Sequence, residues 1–295
     1  MLSVLVPTYH YNVLPLAKTV VGQLSKTNIP FEFICIDDGS SSELNIENRQ
    51  INFLPNATFS ENKQNLGRSC MMNLLASHAK YPYLLFLDAD VVPVDDDFIN
   101  KYLHEIKKGT EVCYGGLAYK KEHTKEQALR WRYGMAREAI TLKKRLNSPY
   151  AHTLTSNLLI KKEVVLRFQF PAEVMQYGYE DTVFVNRLKV ANIPIVHLQN
   201  PVYHLQLDTT AVFLKKTFMA VENLVQLSKN NQLAYHETRL GEAFTILRKS
   251  RMVSPASYFL NYVKYLIIKQ LYSKKPSLIL FDLYKLGLFC KLHGQ

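Results

Sequence analysis

The first two hundred residues alternate between short apolar runs of strand length and stretches whose apolar positions recur at helical spacing. Leu2–Val6 and Phe31–Ile36 read as strands, with Val13, Leu16, Ala17, Val20 and Leu24 marking one helix face between them. Phe53–Phe59 holds a third, shorter strand. Tyr83-Leu84-Leu85-Phe86-Leu87 is apolar throughout and bounded by Pro82 and Asp88, the pattern of a strand buried on both faces. Helices are predicted over Val13–Ser25, Ser69–His78 and Asp95–Lys108, the last with an acidic first turn and a basic last turn, as the helix dipole favours. Glu111–Tyr119 reads as a strand, residues 120–150 as charged helix around Trp131, Thr153–Ile160 as a strand and Lys161–Arg167 as a short helix. A loop over Phe170–Gly178 leads to a helix opening on Tyr179-Glu180-Asp181 and running to Ala191. Ile193–His197 and Val202–Leu205 are short strands.

Strand–helix alternation of this kind predicts an α/β fold, a mixed but mostly parallel, twisted Rossmann-like sheet flanked by helices. After residue 205 only helical patterns remain: Val212–Ser228, Tyr235–Ser250, Ala256–Tyr272 and Leu278–Leu292. The expected organisation is a domain over 1–205, with halves 1–119 and 120–205, followed by a helical C-terminal region over 206–295.

The strands end in polar, turn-forming residues: Pro7-Thr8-Tyr9-His10 after the first, Asp37-Asp38-Gly39-Ser40-Ser41 after the second and Asp88-Ala89-Asp90 after the buried one. Ligands of open α/β sheets bind at that edge. Alternate residues of an extended chain point the same way, so Asp88 and Asp90 can face one site. Two such carboxylates repel unless a cation or hydrogen-bond donors compensate them. A divalent metal holding a diphosphate would do so; an acidic turn with no ligand fits the same triplet.

Composition narrows the setting. With 295 residues, 47% of them hydrophobic, the chain can bury a sizeable core. Cys35, Cys70, Cys113 and Cys290 are scattered, which suits a reducing compartment and speaks against a disulfide framework or a zinc site. A strand begins at once, no leader pattern precedes it and no apolar run reaches a spanning length, so a cytoplasmic protein is expected.

Taken in order, Val6-Pro7-Thr8-Tyr9, Ile36-Asp37-Asp38-Gly39-Ser40-Ser41, Asn65-Leu66-Gly67-Arg68 and Leu87-Asp88-Ala89-Asp90 form a series that resembles the nucleotide-sugar half of family 2 inverting glycosyltransferases of the GT-A fold. Gly178-Tyr179-Glu180-Asp181 is similar to the Gly-(Trp/Tyr)-Glu-Asp element of their acceptor half. Pro201-Val202-Tyr203-His204 falls where relatives place a metal-binding histidine. The resemblance covers roughly residues 2–205.

It implies a metal-dependent transfer of one sugar from a nucleotide-sugar, with UDP the expected nucleotide, to a glycan hydroxyl in cell-surface polysaccharide synthesis. Pro7, Thr8 and Tyr9 would wall the base, and Asp38 would accept from a pyrimidine N–H, with Asp37 left to form the turn before Gly39. Gly67 would allow close backbone approach, and Arg68 offers a fork for base or phosphate. Asp88 would take the ribose or a metal-bound water, with Ala89 between it and Asp90. Asp90 and His204 would hold Mn²⁺ or Mg²⁺ directly. Asp181 would be the base and Glu180 would orient the acceptor. The neighbourhood of Ser156 and Asn157 is a candidate acceptor lining. Processive relatives carry a Gln/Arg-x-x-Arg-Trp motif where this chain has Leu214-Lys215-Lys216-Thr217-Phe218, so a single addition is expected. The rivals are a sugar-nucleotide pyrophosphorylase, whose Gly-rich basic N-terminal signature is absent, and a catalytically inactive glycan-binding or scaffolding relative.

Net charge is +11, and residues 206–295 hold thirteen Lys/Arg against five Asp/Glu, a net of +8 that leaves +3 for the rest. Basic, aromatic helices over 255–292 suit the anionic inner face of a membrane, with a lipid-linked acceptor; a helical subdomain or a dimer surface is the alternative. No nucleic-acid motif accompanies the charge.

Overall fold

In the computed structural model, which describes residues 1–173 and 177–293, β1 (Leu2–Thr8) is the strand on which the sheet is built. Its neighbours are β2 (Phe31–Asp37) on one side and β4 (Tyr83–Leu87) on the other, both parallel to it, after α1 (Leu14–Leu24) and the intervening elements α2 (Asn45–Asn48), β3 (Ala57–Glu61) and α3 (Arg68–His78). β3 pairs parallel with the outer edge of β2. Beyond β4 the chain adds β5 (Val91–Pro93), α4 (Phe98–Lys107), β6 (Val112–Tyr114), β7 (Leu117–Ala118), α5 (Ala128–Arg137), α6 (Leu142–Asn147), β8 (Asn157–Lys161), α7 (Lys162–Phe168), α8 (Glu180–Val190), β9 (Ile195–His197) and β10 (Val202–His204). The C-terminal helices are α9 (Thr210–Lys229), α10 (Arg239–Lys249), α11 (Val253–Leu271) and α12 (Leu278–His293).

The main sheet has seven strands in the order β3-β2-β1-β4-β8-β6-β9, with β8 antiparallel to both of its neighbours and every other pair parallel. Side chains of β1 alternate between two cores, as a strand covered on both faces must. Leu2, Val4 and Val6 point to a core shared with α1 and α4; Leu5 points to one shared with α3, α7 and Phe184 and Leu188 of α8. Every residue of β2 and β4 is buried, Cys35 included.

A separate three-stranded sheet, β5-β10-β7, is made of strands of two or three residues each. The single strand expected over Glu111–Tyr119 is in fact two, one in each sheet. The break lies at Gly115-Gly116: Gly116 has φ +102°, and a Cβ on Gly115 would collide with the Asn200 carbonyl and the Asn157 amide. Asn157 is fully buried, accepts from Tyr102 Oη at 2.6 Å and donates to the carbonyls of Gly116 and Asn200, both at 2.9 Å. Its amide is used inside the fold and does not line an acceptor pocket. The strand expected over Phe53–Phe59 starts later, at Ala57, after a 3-10 turn over Arg49–Phe53. The loop expected over Phe170–Gly178 includes 174–176, and the C-terminal region includes 294 and 295, which lie outside the described residues.

By their internal contacts, Met1–Lys120, Glu138–Met175 and Phe184–Gln206 form one compact unit, and Lys121–Arg137, Gln176–Val183 and Leu207–Gln295 form another. In the second, α9, α11 and α12 pack together. Phe281, Tyr284, Leu288 and Phe289 of α12 are buried, so this part of its apolar pattern faces the protein interior, while Ile279 near its start is exposed. No helix among the described residues is long and apolar enough to cross a membrane.

Candidate active site

The ends of β1 and β2 are cross-tied before any ligand is considered. Thr8 pairs with Asp37 in the ladder, and Asp38 N donates to Thr8 O at 2.8 Å. Asp37 turns back on its own chain: its carboxylate accepts from Ser40 N at 2.8 Å and from Ser40 Oγ at 2.7 Å, a turn-forming role. Asp38 reaches across to the next loop and accepts from the backbone N–H groups of Leu66 at 2.7 Å and Gly67 at 2.9 Å. Each of its oxygens has a second lone pair, so the residue retains acceptor capacity for a base.

Within the protein, the backbone is closely approached at Gly39. A Cβ on Gly39 would stand 2.5 Å from Gln64 C and 2.8 Å from Asn65 N, at a φ of +69°. Around Gly67 no atom lies within 4 Å of that position; its φ of +82° is what admits the chain into α3. Pro7 is half-buried beside Ile36, and Tyr9 is exposed with its ring edge-on to His10.

At the end of β4 the two carboxylates of Asp88-Ala89-Asp90 have separate partners. Arg68, the first residue of α3, donates from Nη2 to Asp88 Oδ1 at 2.6 Å and to Thr155 Oγ1 at 3.0 Å. Asp88 N donates to Ser156 O at 3.2 Å. Ala89 packs against the core. Asp90 Oδ2 lies 3.4 Å from His204 Nε2.

That meeting is a product of the small sheet. β10 runs antiparallel to β5 with His204 opposite Val91, and Leu205 N extends the ladder to Asp90 O at 2.8 Å. Tyr119 stacks on the His204 ring at 5.5 Å and donates its hydroxyl to Glu138. Tyr11 also belongs to this neighbourhood: burial first, and then the charge of Asp90, hold its phenol above its ordinary pKa. Thr155, Tyr119 and Tyr11 carry no sequence signal, because each gains its meaning from a partner far along the chain.

One carboxylate oxygen and one imidazole nitrogen this close are a suitable donor pair for Mn²⁺ or Mg²⁺, since two ligands of one octahedral cation stand roughly 3 Å apart. Among the described residues no group of three or more His, Cys, Asp or Glu is arranged around a metal. A cation here would therefore complete its shell with a ligand's oxygens and water.

Glu180 and Asp181 occupy the first turn of α8, where carboxylates are favoured by the helix dipole. The preceding turn is fixed against α9. Asn223 Nδ2 donates to Gly178 O at 2.6 Å, and a Cβ on Gly178, at φ +101°, would stand 2.6 Å from Ala220 Cβ. Tyr179 follows at φ +70°, an uncommon conformation for a side chain of its size.

The Glycosyl transferase family 2 profile matches residues 3–166. No curated protein sequence matches the chain. Among solved structures, residues 1–349 of TarS from S. aureus match at 19% identity over 99% of this chain and 90% of that one, with a TM-score of 0.52. A mannosyltransferase, PcManGT from Pyrobaculum calidifontis, solved with GDP-Man and Mn²⁺, matches at 14% identity over 98% and 85%, with a TM-score of 0.60. At these identities the likeness is one of fold. With the family profile over more than half its length, this chain belongs to glycosyl transferase family 2 and is a glycosyltransferase of the GT-A fold.

Proposed function

We propose that the chain moves one sugar from a UDP-sugar to a hydroxyl of a glycan acceptor, with inversion, in the synthesis of a cell-surface polysaccharide. The acceptor is carried on a lipid, and the enzyme works on the cytoplasmic side of an anionic membrane. The observation that carries the donor part of this reading is the 3.4 Å approach of Asp90 Oδ2 to His204 Nε2 at the end of the central strands. The fold relatives add to it: TarS was solved with UDP-GlcNAc and PcManGT with GDP-Man and Mn²⁺.

Asp90 and His204 would hold Mn²⁺ or Mg²⁺, which when bound neutralises charge on the departing diphosphate. Asp38, Thr8 and Tyr9 would hold the base. Asp88, oriented by Arg68, would take the ribose hydroxyls, and the Arg68 guanidinium would offer its remaining N–H groups to the phosphates. Inversion at the anomeric carbon requires one group to remove the acceptor proton as the hydroxyl attacks. Asp181 is that base in this reading, and Glu180 orients the acceptor hydroxyl. The lack of the tryptophan motif of processive relatives after Leu214 fits one addition per encounter.

A screen of nucleotide-sugars for thermal stabilisation and hydrolysis, with and without Mn²⁺, tests the reading. Mn²⁺-dependent stabilisation by one UDP-sugar is expected. Equal stabilisation with a chelator present, or none by any nucleotide-sugar, contradicts it.

A further inference from the structure

α11 has two apolar faces, and only one of them is covered. Leu260, Ile267 and Leu271 are buried, with Leu260 against Gly287 of α12. Tyr258, Phe259, Tyr262, Tyr265 and Leu266 point the other way and are 61% to 80% exposed. Their spacing, i, i+1, i+4, i+7 and i+8, makes one continuous stripe on the helix. Exposed apolar residues are ordinary when scattered singly; a helical stripe of aromatic residues marks a contact surface.

The charges around the stripe say what it meets. Every charged residue between Glu242 and Asp282 is a Lys or an Arg. Lys269 shares the outward face, Arg251 precedes the helix, and Lys274 and Lys275 follow it, all exposed. A self-complementary interface with a second copy would set this basic patch against itself. An anionic lipid surface instead satisfies both components. Tyrosine rings sit at headgroup depth with their hydroxyls wet, and the flanking cations meet lipid phosphates.

We propose that the outward face of α11 is a peripheral membrane-binding surface for anionic glycerophospholipid, lying in the interface plane without crossing it. It gives a location to the membrane contact in the reading above, on which it rests for its purpose. Its test measures no transfer, so failure of either leaves the other to be judged alone.

The full chain is sedimented with phosphatidylcholine vesicles with and without phosphatidylglycerol. Binding only to the anionic vesicles, weakening with salt, is expected. The combined variant Tyr258→Ser, Tyr262→Ser, Tyr265→Ser and Leu266→Ser lowers partitioning at least about tenfold. Its melting temperature stays that of the wild type, because the side chains removed are exposed. Lys269→Gln, Lys274→Gln and Lys275→Gln each lower partitioning about fivefold. A wild-type chain that stays in the supernatant, or a serine variant that sediments like it, overturns the proposal. So does a dimer in sedimentation velocity that the serine variant abolishes, since a second copy would then cover the face.

Discussion

Asp90 and His204 meet because residues 91 and 204 are register partners in an antiparallel ladder, which leaves Oδ2 of one 3.4 Å from Nε2 of the other. Asp88, two residues earlier, points to Arg68 instead. The two neighbouring carboxylates are thus turned to different partners, a guanidinium and an imidazole, and only the second pair has the donor chemistry of a metal site.

The proposed base is separable from donor binding. Asp181→Asn is expected to lower transfer by about 10²–10⁴-fold, the usual range for a positioned base. UDP affinity measured by calorimetry should stay within a few-fold of wild type. An Asn variant that transfers normally, or one that loses UDP, removes Asp181 from that role. Glu180→Gln should act on the acceptor KM more than on UDP binding.

Two glycines in the nucleotide half should respond differently to alanine. Gly39→Ala adds a Cβ at 2.5 Å from the backbone of Gln64 on top of a left-handed conformation. It should cost clearly more than the 1–2 kcal/mol or so of the conformation alone, and it should weaken UDP binding by displacing the loop that Asp38 holds. Gly67→Ala meets open space, but φ +82° with ψ +158° is a region essentially confined to glycine, so the conformation alone should cost about 1–3 kcal/mol. Urea unfolding of both variants measures the difference, and equal losses would contradict the assigned approach at Gly39.

Stability should fall on acidification through one buried imidazole. Arg145 Nη1 donates to His197 Nδ1 at 3.2 Å, which leaves Nε2 to carry the proton, 3.2 Å from Pro149 O. Burial first, and then the Arg145 charge, lower the His197 pKa from 6.5 to about 4. Between those values the unfolded chain binds a proton that the folded chain does not. The contribution is therefore whole above pH 6.5, is lost as pH falls towards 4, and is flat below. It amounts to about 3 kcal/mol at most. Denaturant unfolding from pH 4 to 7 should show this loss in wild type and a shallower one in His197→Gln; parallel profiles would rule the imidazole out as the source.

Much of the donor half was legible because an apolar run that stops in Asp or Gly is a strand end, whatever lies beside it. Tyr83–Leu87, Asp37-Asp38-Gly39 and the helix after Gly67 are local patterns. What the pattern could not give is pairing. β5, β7 and β10 have two or three residues each, too few for a period, and the sheet they form is what brings His204 to Asp90. Glu111–Tyr119 reads as one strand because the collision at Gly115 involves Asn157 and Asn200, remote in sequence. Asp38 is recognisable as a strand-end acid, but its hold on Leu66 and Gly67 is a tertiary contact. In the C-terminal region, α11 and α12 look alike as basic, aromatic helices. Only packing separates them, with Phe281, Phe289 and Leu288 of α12 buried and the α11 stripe exposed.

The central claim is that Asp90 and His204 jointly hold a divalent cation that binds the nucleotide, and calorimetric titration of UDP with Mn²⁺ and then with a chelator tests it most directly. Wild type is expected to bind at least about tenfold more tightly with Mn²⁺, and Asp90→Asn and His204→Ala should each erase that difference while keeping the wild-type melting temperature without ligand within a few degrees. Retention of the full Mn²⁺ effect in either variant would contradict the account.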